Sequence, residues 1–208
     1  LLASAGEVFI QKSQQGGGSP MIRGFATNRL LIAVDGIRMN NAIFRSGNLQ
    51  QVISLDPLAV ERSEVYFGPG SVIYGSDAIG GVMSFSTLRP ELSANDESLI
   101  FGNAYSRFSS ANQELTQHFD LNIGGSKWAY RGSFSYNRYG DLRMGSNGPD
   151  ELLRTFSVSR IDSQDAAIAN TDPELQLNTG FEQFHTLQKL RFRPSTYWDF
   201  EYSLLYSE

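Results

Sequence analysis

Cysteine is absent from the 208 residues. That excludes disulfides and thiolate metal sites, and it fits a reducing cytosol as well as a bacterial envelope. Basic charge is scarce: 17 Lys and Arg stand against 22 Asp and Glu, a net charge of −5. A nucleic-acid backbone is gripped by clustered cations, so nucleic acid is not an expected partner. No apolar run approaches the ~18 residues that a transmembrane helix needs. Histidine occurs only at His118 and His185. There is no His-Glu-x-x-His, no Gly-x-Ser-x-Gly and no spacing of acids that makes a calcium loop, so no catalytic centre and no resident cofactor or metal is expected. Neither a leading Met nor a signal-like apolar stretch opens the chain, and Glu208 falls inside a strand pattern. The sequence therefore reads as a piece of a longer protein.

Aromatic residues and glycine are plentiful, with 14 Phe, 9 Tyr and 20 Gly. Their distribution divides the chain. Residues 1–90 mix short strands, turns and small helical pieces, the pattern of a compact α+β domain. Leu1–Ala5 closes a helix that Gly6 stops. Strands are expected at Val8–Gln11, Arg29–Val34, Arg62–Phe67 and Gly81–Thr87, with a flexible loop over Gln14–Pro20. Asp35-Gly36 signals a tight turn. Asp56 caps a short helix that starts at Pro57.

Residues 97–208 are different. Trp128, Tyr130, Phe134 and Tyr136 alternate with Arg131, Ser133, Ser135 and Asn137. Trp198, Phe200, Tyr202, Leu204 and Tyr206 alternate with Asp199, Glu201 and Ser203. Phe119, Leu121 and Ile123 share one side of a third strand, with His118, Asp120 and Asn122 on the other. Period-2 alternation gives strands with one apolar and one polar face. The expected strands are 98–108, 114–124, 127–140, 181–193 and 197–208, the first and fourth with unassigned faces. At about 10–13 residues they have the length of membrane-spanning barrel strands rather than of sandwich strands. Their links alternate between short or tight turns and the long polar segment Asp141–Gly180, as in outer-membrane barrels. Within that segment the acidic stretch Asp162–Glu174 is expected as a solvated loop with one helical turn. Trp128 and Trp198 flank tight turns, where an interfacial aromatic girdle sits.

Gly68–Thr87 carries five glycines and then switches to alternation. A nucleotide loop of Walker type needs Lys after its last glycine, and this stretch has none. The glycines instead suit a chain that turns after one strand and packs closely before the next.

Three stretches in order resemble the plug domain of TonB-dependent outer-membrane receptors. They are SPMIRGF (Ser19–Phe25), NRLLIAVDGIRMNN (Asn28–Asn41) and LAVERSEVYFGPGSVIYGSDAIGGVMSFST (Leu58–Thr87). The resemblance implies an α+β plug domain over 1–90, incomplete at its N-terminus, followed over 97–208 by the first five or so antiparallel strands of a transmembrane β-barrel. It implies outer-membrane lipid as surroundings. It also implies a TonB-type energising protein as partner, through a segment preceding this chain. Five strands cannot close a barrel, so the chain alone is expected to need detergent.

The family usually has Arg before Gly-Pro, where Phe67 stands here, which puts one plug–barrel lock in doubt and leaves Arg23 for another. The resemblance further implies energy-coupled uptake of a scarce nutrient. The run Met39–Pro57 with Gly68–Met83 looks most like the haem and iron-carrier branch, so haem or a ferric chelate is the expected cargo. Glycan and cobalamin importers share the plug, and a secreted β-rich binding module is a further alternative. The family binds ligand between apical plug loops and extracellular barrel loops. That makes Arg23, Asn40, Asn41, Phe44 and Arg45 the substrate-binding candidates, with the residues around Met21 and up to Thr27. The alternative is that the asparagines cap turns and Arg45 pairs with a barrel carboxylate. With no histidine before residue 97, a haem ligand in the plug could only be Met or Tyr.

Overall fold

The computed structural model describes residues 8–15, 17–23, 25–26, 30–39, 54–68, 70–75, 78–95 and 97–208. The helix expected at Leu1–Ala5 lies outside them.

Two small sheets form the plug. The first joins β1 (Val8–Gln14), β2 (Gly17–Ile22) and β3 (Phe25–Ala26), in that order. The stretch expected as a loop over Gln14–Pro20 is thus mostly strand, with a turn at Gln15. Among the described residues β3 pairs with Met21 and Ile22, and Pro20 faces Ile10 of β1, an edge-like position that tolerates proline.

The second sheet has the order β5-β4-β7-β6, from β4 (Leu30–Val34), β5 (Ile37–Arg38), β6 (Val60–Phe67) and β7 (Gly81–Thr87). β4 is buried at every position and runs parallel to β7. A parallel strand covered on both faces reads as a continuous apolar run, which is what LLIAV is. Leu30, Ile32 and Val34 pack with Val8, Ile22, Met83 and Phe85 on one face; Leu31 and Ala33 pack with Ala78 and Val82 on the other. Asp35 and Gly36 take left-handed φ values of 49° and 79° and turn β4 into β5. The helix expected after Asp56 is a 3-10 turn of three residues, Pro57–Ala59. Asp56 caps it by accepting from the Leu58 amide, but Val60 and Glu61 already belong to β6. A single helical turn, α1 (Ser71–Tyr74), lies between β6 and β7.

The wall is one antiparallel sheet ordered β16-β15-β10-β9-β8. Its strands are β8 (Leu99–Ser109), β9 (Glu114–Gly124), β10 (Trp128–Tyr139), β15 (Phe181–Ser195) and β16 (Trp198–Ser207). Ends agree with the sequence pattern to within two residues. In β10 Ala129, Arg131, Ser133, Ser135 and Asn137 are buried against the plug, while Trp128 and Phe134 are exposed. Lys189 reaches Glu201, so the acidic positions of β16 share the inward face and Trp198, Phe200 and Tyr202 point outward. The faces left open by sequence are now fixed. Phe101, Asn103 and Arg107 of β8 and His185, Leu187 and Lys189 of β15 point inward.

Between β10 and β15 the long link is built rather than loose. β11 (Leu142–Arg143) pairs with β14 (Leu175–Gln176), and β12 (Phe156–Ile161) pairs with β13 (Gln164–Ala169). The first part of the acidic stretch Asp162–Glu174, expected to hold a helical turn, is instead the turn and second strand of this hairpin, and its remainder from Asn170 is irregular link. Asp162 and Ser163 make the turn with φ of 51° and 65°, and the helical turn lies earlier, at Asp150–Leu152. The β-branched Val158, Ile161 and Ile168, with Phe156, favour the extended form there.

Candidate functional site

Of the expected ligand contacts, Asn40, Asn41, Phe44, Arg45 and Thr27 lie outside the described residues. Met21 is half-buried in β2. Arg23 is exposed in the β2–β3 turn, with its guanidinium 5.1 Å from the centroid of the Phe67 ring. The residue standing where the family has Arg is therefore the one that Arg23 stacks on, a cation–π contact within the plug. The two feet of the segment 40–53 are described. The Met39 amide donates to Ile32 O at 2.8 Å, and Ser54 and Leu55 lead into the Asp56 cap. Both feet border a cavity of ≈ 470 Å³ against the end of β16, together with Val34, Ile37 and Ser203–Ser207.

The plug meets the wall through polar groups. Asp56 accepts a hydrogen bond from Ser135 Oγ at 2.5 Å, and Ser135 Oγ lies 2.6 Å from His118 Nδ1. His118 Nε2 is 3.4 Å from Asp120 Oδ2, and Asp120 accepts from Arg131 Nη2 at 2.7 Å and from Asn103. Ser135, His118 and Asp120 line up as a nucleophilic triad would, but Ser135 is 1% exposed and its hydroxyl proton goes to Asp56. The arrangement is a latch between plug and wall. His185, unassigned in sequence, lies in the same seam and feels the Asp56 charge. Neither histidine is open to a ligand: they are 7% and 4% exposed. Among the described residues no group of three or more His, Asp or Glu is placed to hold a metal.

A second latch joins Lys189, whose side chain is fully buried, to Asp35 at 3.0 Å and to Glu201 at 3.4 Å. Asp35 also accepts from Thr87 N at 2.9 Å and Thr87 Oγ1 at 2.6 Å. Burial alone raises the Asp35 pKa; the two Thr87 hydrogen bonds and Lys189 outweigh it and leave the carboxyl below its ordinary value.

A third contact escaped the sequence. Gln15, in the β1–β2 turn, donates to Gly140 O at 2.7 Å and accepts from Asn112 Nδ2 at 3.3 Å. Asn112 and Gly140 lie in the links at the end of the wall away from the tight turns, so this plug turn reaches the rim where the long link begins. The long link is itself fastened there. Asp141 is pushed up by burial, but the amides of Gly180, Thr179 and Asn178 outweigh this and hold it below its ordinary value. Arg143 bridges Asp172 and Glu174, and its pairing lowers the Asp172 pKa. Asn170 donates to the carbonyls of Arg154 and Leu175.

The TonB-dependent Receptor Plug Domain family matches residues 1–82. The vitamin B12 transporter BtuB of Vibrio vulnificus (strain CMCP6) is 43% identical over 89 residues, 40% of this chain and 14% of that protein. Three solved structures share the fold. The copper transporter OprC has a TM-score of 0.72 and 15% identity, over 97% of this chain and 26% of that one. The FrpB iron transporter of Neisseria meningitidis (F3-3 variant) has 0.63 and 15%, over 89% and 25%. The ferric enterobactin receptor PfeA of Pseudomonas aeruginosa has 0.61 and 20%, over 97% and 29%. This chain thus spans under a third of the length of each. Residues 1–82 thus match the plug domain of TonB-dependent receptors, with its signatures in order, and the amphipathic strands that follow share the fold of these three structures.

Proposed function

We propose that this chain is the plug, over 1–90, and the first barrel strands, over 97–208, of a receptor for energy-coupled uptake of a scarce nutrient across the outer membrane. The observation that carries the proposal is the seam. The plug and its exit segment are held to the wall by hydrogen bonds and ion pairs at Asp35, Asp56 and Glu91, beside an apolar contact at Leu187. Polar contacts exchange for water at small net cost, so such a stopper can be moved. A TonB-type protein supplies the work, through a segment that precedes the plug. The chain acts as a transporter and not as an enzyme, with outer-membrane lipid against Trp128, Phe134, Trp198 and Phe200.

The cargo is iron, as haem or a ferric chelate, bound between the plug segment carrying Asn40, Asn41, Phe44 and Arg45, the turn at Arg23, and the outer links. With His118 and His185 buried, this part of the receptor would give haem or a chelate polar and aromatic contacts, and an axial ligand to haem would come from beyond Glu208. The test restores the full-length receptor to a strain lacking its own and asks for growth on haem, haemoglobin or a ferric chelate as sole iron source. Growth unchanged after joint Asn41→Ala, Phe44→Ala and Arg45→Ala removes the apical segment from the site. A second reading, cobalamin uptake, is favoured by the similarity to a vitamin B12 transporter. It predicts cobalamin-dependent growth with no effect on iron supply.

A further inference from the structure

Lys189 is the largest fully buried side chain of the wall, and two carboxylates reach its ammonium from opposite bodies. Asp35 belongs to the plug and approaches to 3.0 Å; Glu201 belongs to the neighbouring wall strand and approaches to 3.4 Å. The other cations and carboxylates nearby are committed. Arg191 is taken by Asp199 at 2.5 and 2.9 Å, and Arg131 by Asp120. Glu201 and Asp35 therefore both lean on Lys189, although Glu201 also feels Arg191, its cross-strand neighbour, whose hydrogen bonds go to Asp199.

We infer that Lys189 is a positioning residue for transport, and that Glu201 competes with Asp35 for it and so sets how tightly the plug hairpin is held. The inference rests on the reading of the chain as a transporter whose plug moves. Its sign follows from elementary electrostatics. Two carboxylates on one ammonium repel each other, and each weakens the other's hold. When the hairpin leaves, Asp35 departs with Thr87 still bonded to both of its oxygens. Lys189 then turns wholly to Glu201. Neither charge is stranded, whereas stripping a buried charge of its only partner is strongly unfavourable. The hairpin so held leads directly into the segment 40–53. The clasp thus fixes the base of the candidate ligand loop at rest and lets it go cheaply under load.

A plain structural brace and a competing clasp differ in direction. If Glu201 merely braced the seam, removing its charge would loosen the plug. As a competitor, its removal tightens the plug. The experiment uses the full-length receptor in planar bilayers and reads the urea concentration at which pore current appears. Heat-modifiable migration on gels verifies that each barrel is folded. Asp35→Asn and Lys189→Met should conduct at lower urea than the parent, Lys189→Arg close to it, and Glu201→Gln at higher urea. In cells, Glu201→Gln should bind the ferric chelate with unchanged affinity and take it up several-fold more slowly. Conduction of Glu201→Gln at lower urea, or at the same urea as the parent, overturns the inference. The current needs no ligand, so a parent receptor that transports neither iron nor cobalamin would remove the functional reading without disturbing this ordering.

Discussion

Asn122 holds the backbone of Glu91 at both ends: its Oδ1 accepts from the Glu91 amide at 2.9 Å, and its Nδ2 donates to the Glu91 carbonyl at 3.2 Å. One side chain of the wall thus behaves as a strand neighbour for the segment that leads from plug to barrel. Ser93 N extends the pairing to Gly125 O at 3.0 Å. The plug's exit is stapled to the wall before β8 begins.

Close approach at this staple demands glycine at position 124. A Cβ there would lie 2.1 Å from the Glu91 carbonyl oxygen, which is backbone and has no flexible end to move. Gly124→Ala is expected to displace the exit segment, and Asn122→Ala to orphan two backbone groups at about 1–3 kcal/mol. Both should expose residues 88–98 to limited proteolysis in the otherwise folded receptor. Unchanged cleavage would show that the staple is dispensable.

Ser135→Ala tests the first latch. It leaves Asp56 Oδ2 without its 2.5 Å donor and His118 Nδ1 without its partner, in a buried seam. Orphaning such groups costs about 1–3 kcal/mol. The denaturant midpoint of plug displacement should fall accordingly, while Ser109→Ala at the end of β8 should leave it alone. A shift below about 0.5 kcal/mol, the range of ordinary surface changes, would mean that the latch carries no load.

Acid should release the second latch. The Asp35 carboxyl lies below its ordinary 3.8, because the Thr87 hydrogen bonds and Lys189 outweigh burial. A carboxylate with a depressed folded pKa contributes fully above its unfolded value, and the contribution is lost as pH falls through the folded value. Plug retention should therefore be flat from neutral pH to about 5 and decline below about 4. Asp35→Asn should weaken retention at neutral pH and flatten the acid limb. An acid limb identical in parent and variant would assign the transition to other carboxylates.

Alternation made the wall legible wherever the inward face is polar and the outward face apolar. β10 and β16 meet that condition, and β9 meets it nearly. β8 hides its sense because Phe101 and Tyr105 point inward while Gly102 and Ala104 point outward; β15 hides it because Leu187 is buried against the plug and Gln188 faces out. The β4 run and the Asp35-Gly36 turn were legible from local chemistry alone. The seam was not. Gln15 contacts Gly140 across 125 residues, and no local pattern marks a glutamine whose partner is a distant carbonyl. The same holds for Lys189, which reads in sequence as one polar residue among several in β15. The expected ligand residues Asn40, Asn41, Phe44 and Arg45 stay a proposal, since only the feet of their segment are described.

Gln188 places a polar amide on the outer face of the wall, where, on the proposed reading, hydrocarbon offers it no partner. Tyr130 supplies one: its hydroxyl donates to Gln188 Oε1, and Gln188 Nε2 donates to Thr186 Oγ1 at 2.8 Å, which donates on to Ser133 O at 3.1 Å. The Tyr130 ring reaches the amide by lying over Gly132, where a Cβ would come within 2.3 Å of the phenol oxygen. Tyr130→Phe removes the donor and keeps the ring. Side-chain hydrogen bonds in a bilayer are worth about 0.6 kcal/mol on average and up to about 1.7. Tyr130→Phe should destabilise the full-length barrel in lipid vesicles by an amount in that range, read from its urea unfolding midpoint. Gln188→Leu added to it should restore the parent's stability, because both ends of the bond are then apolar. Tyr206→Phe removes an equivalent bond to Glu208 at the exposed end of β16 and should cost little, since water replaces it there. If Tyr130→Phe were silent, or if Gln188→Leu failed to rescue it, this part of the outer face would be in contact with water or protein rather than with lipid.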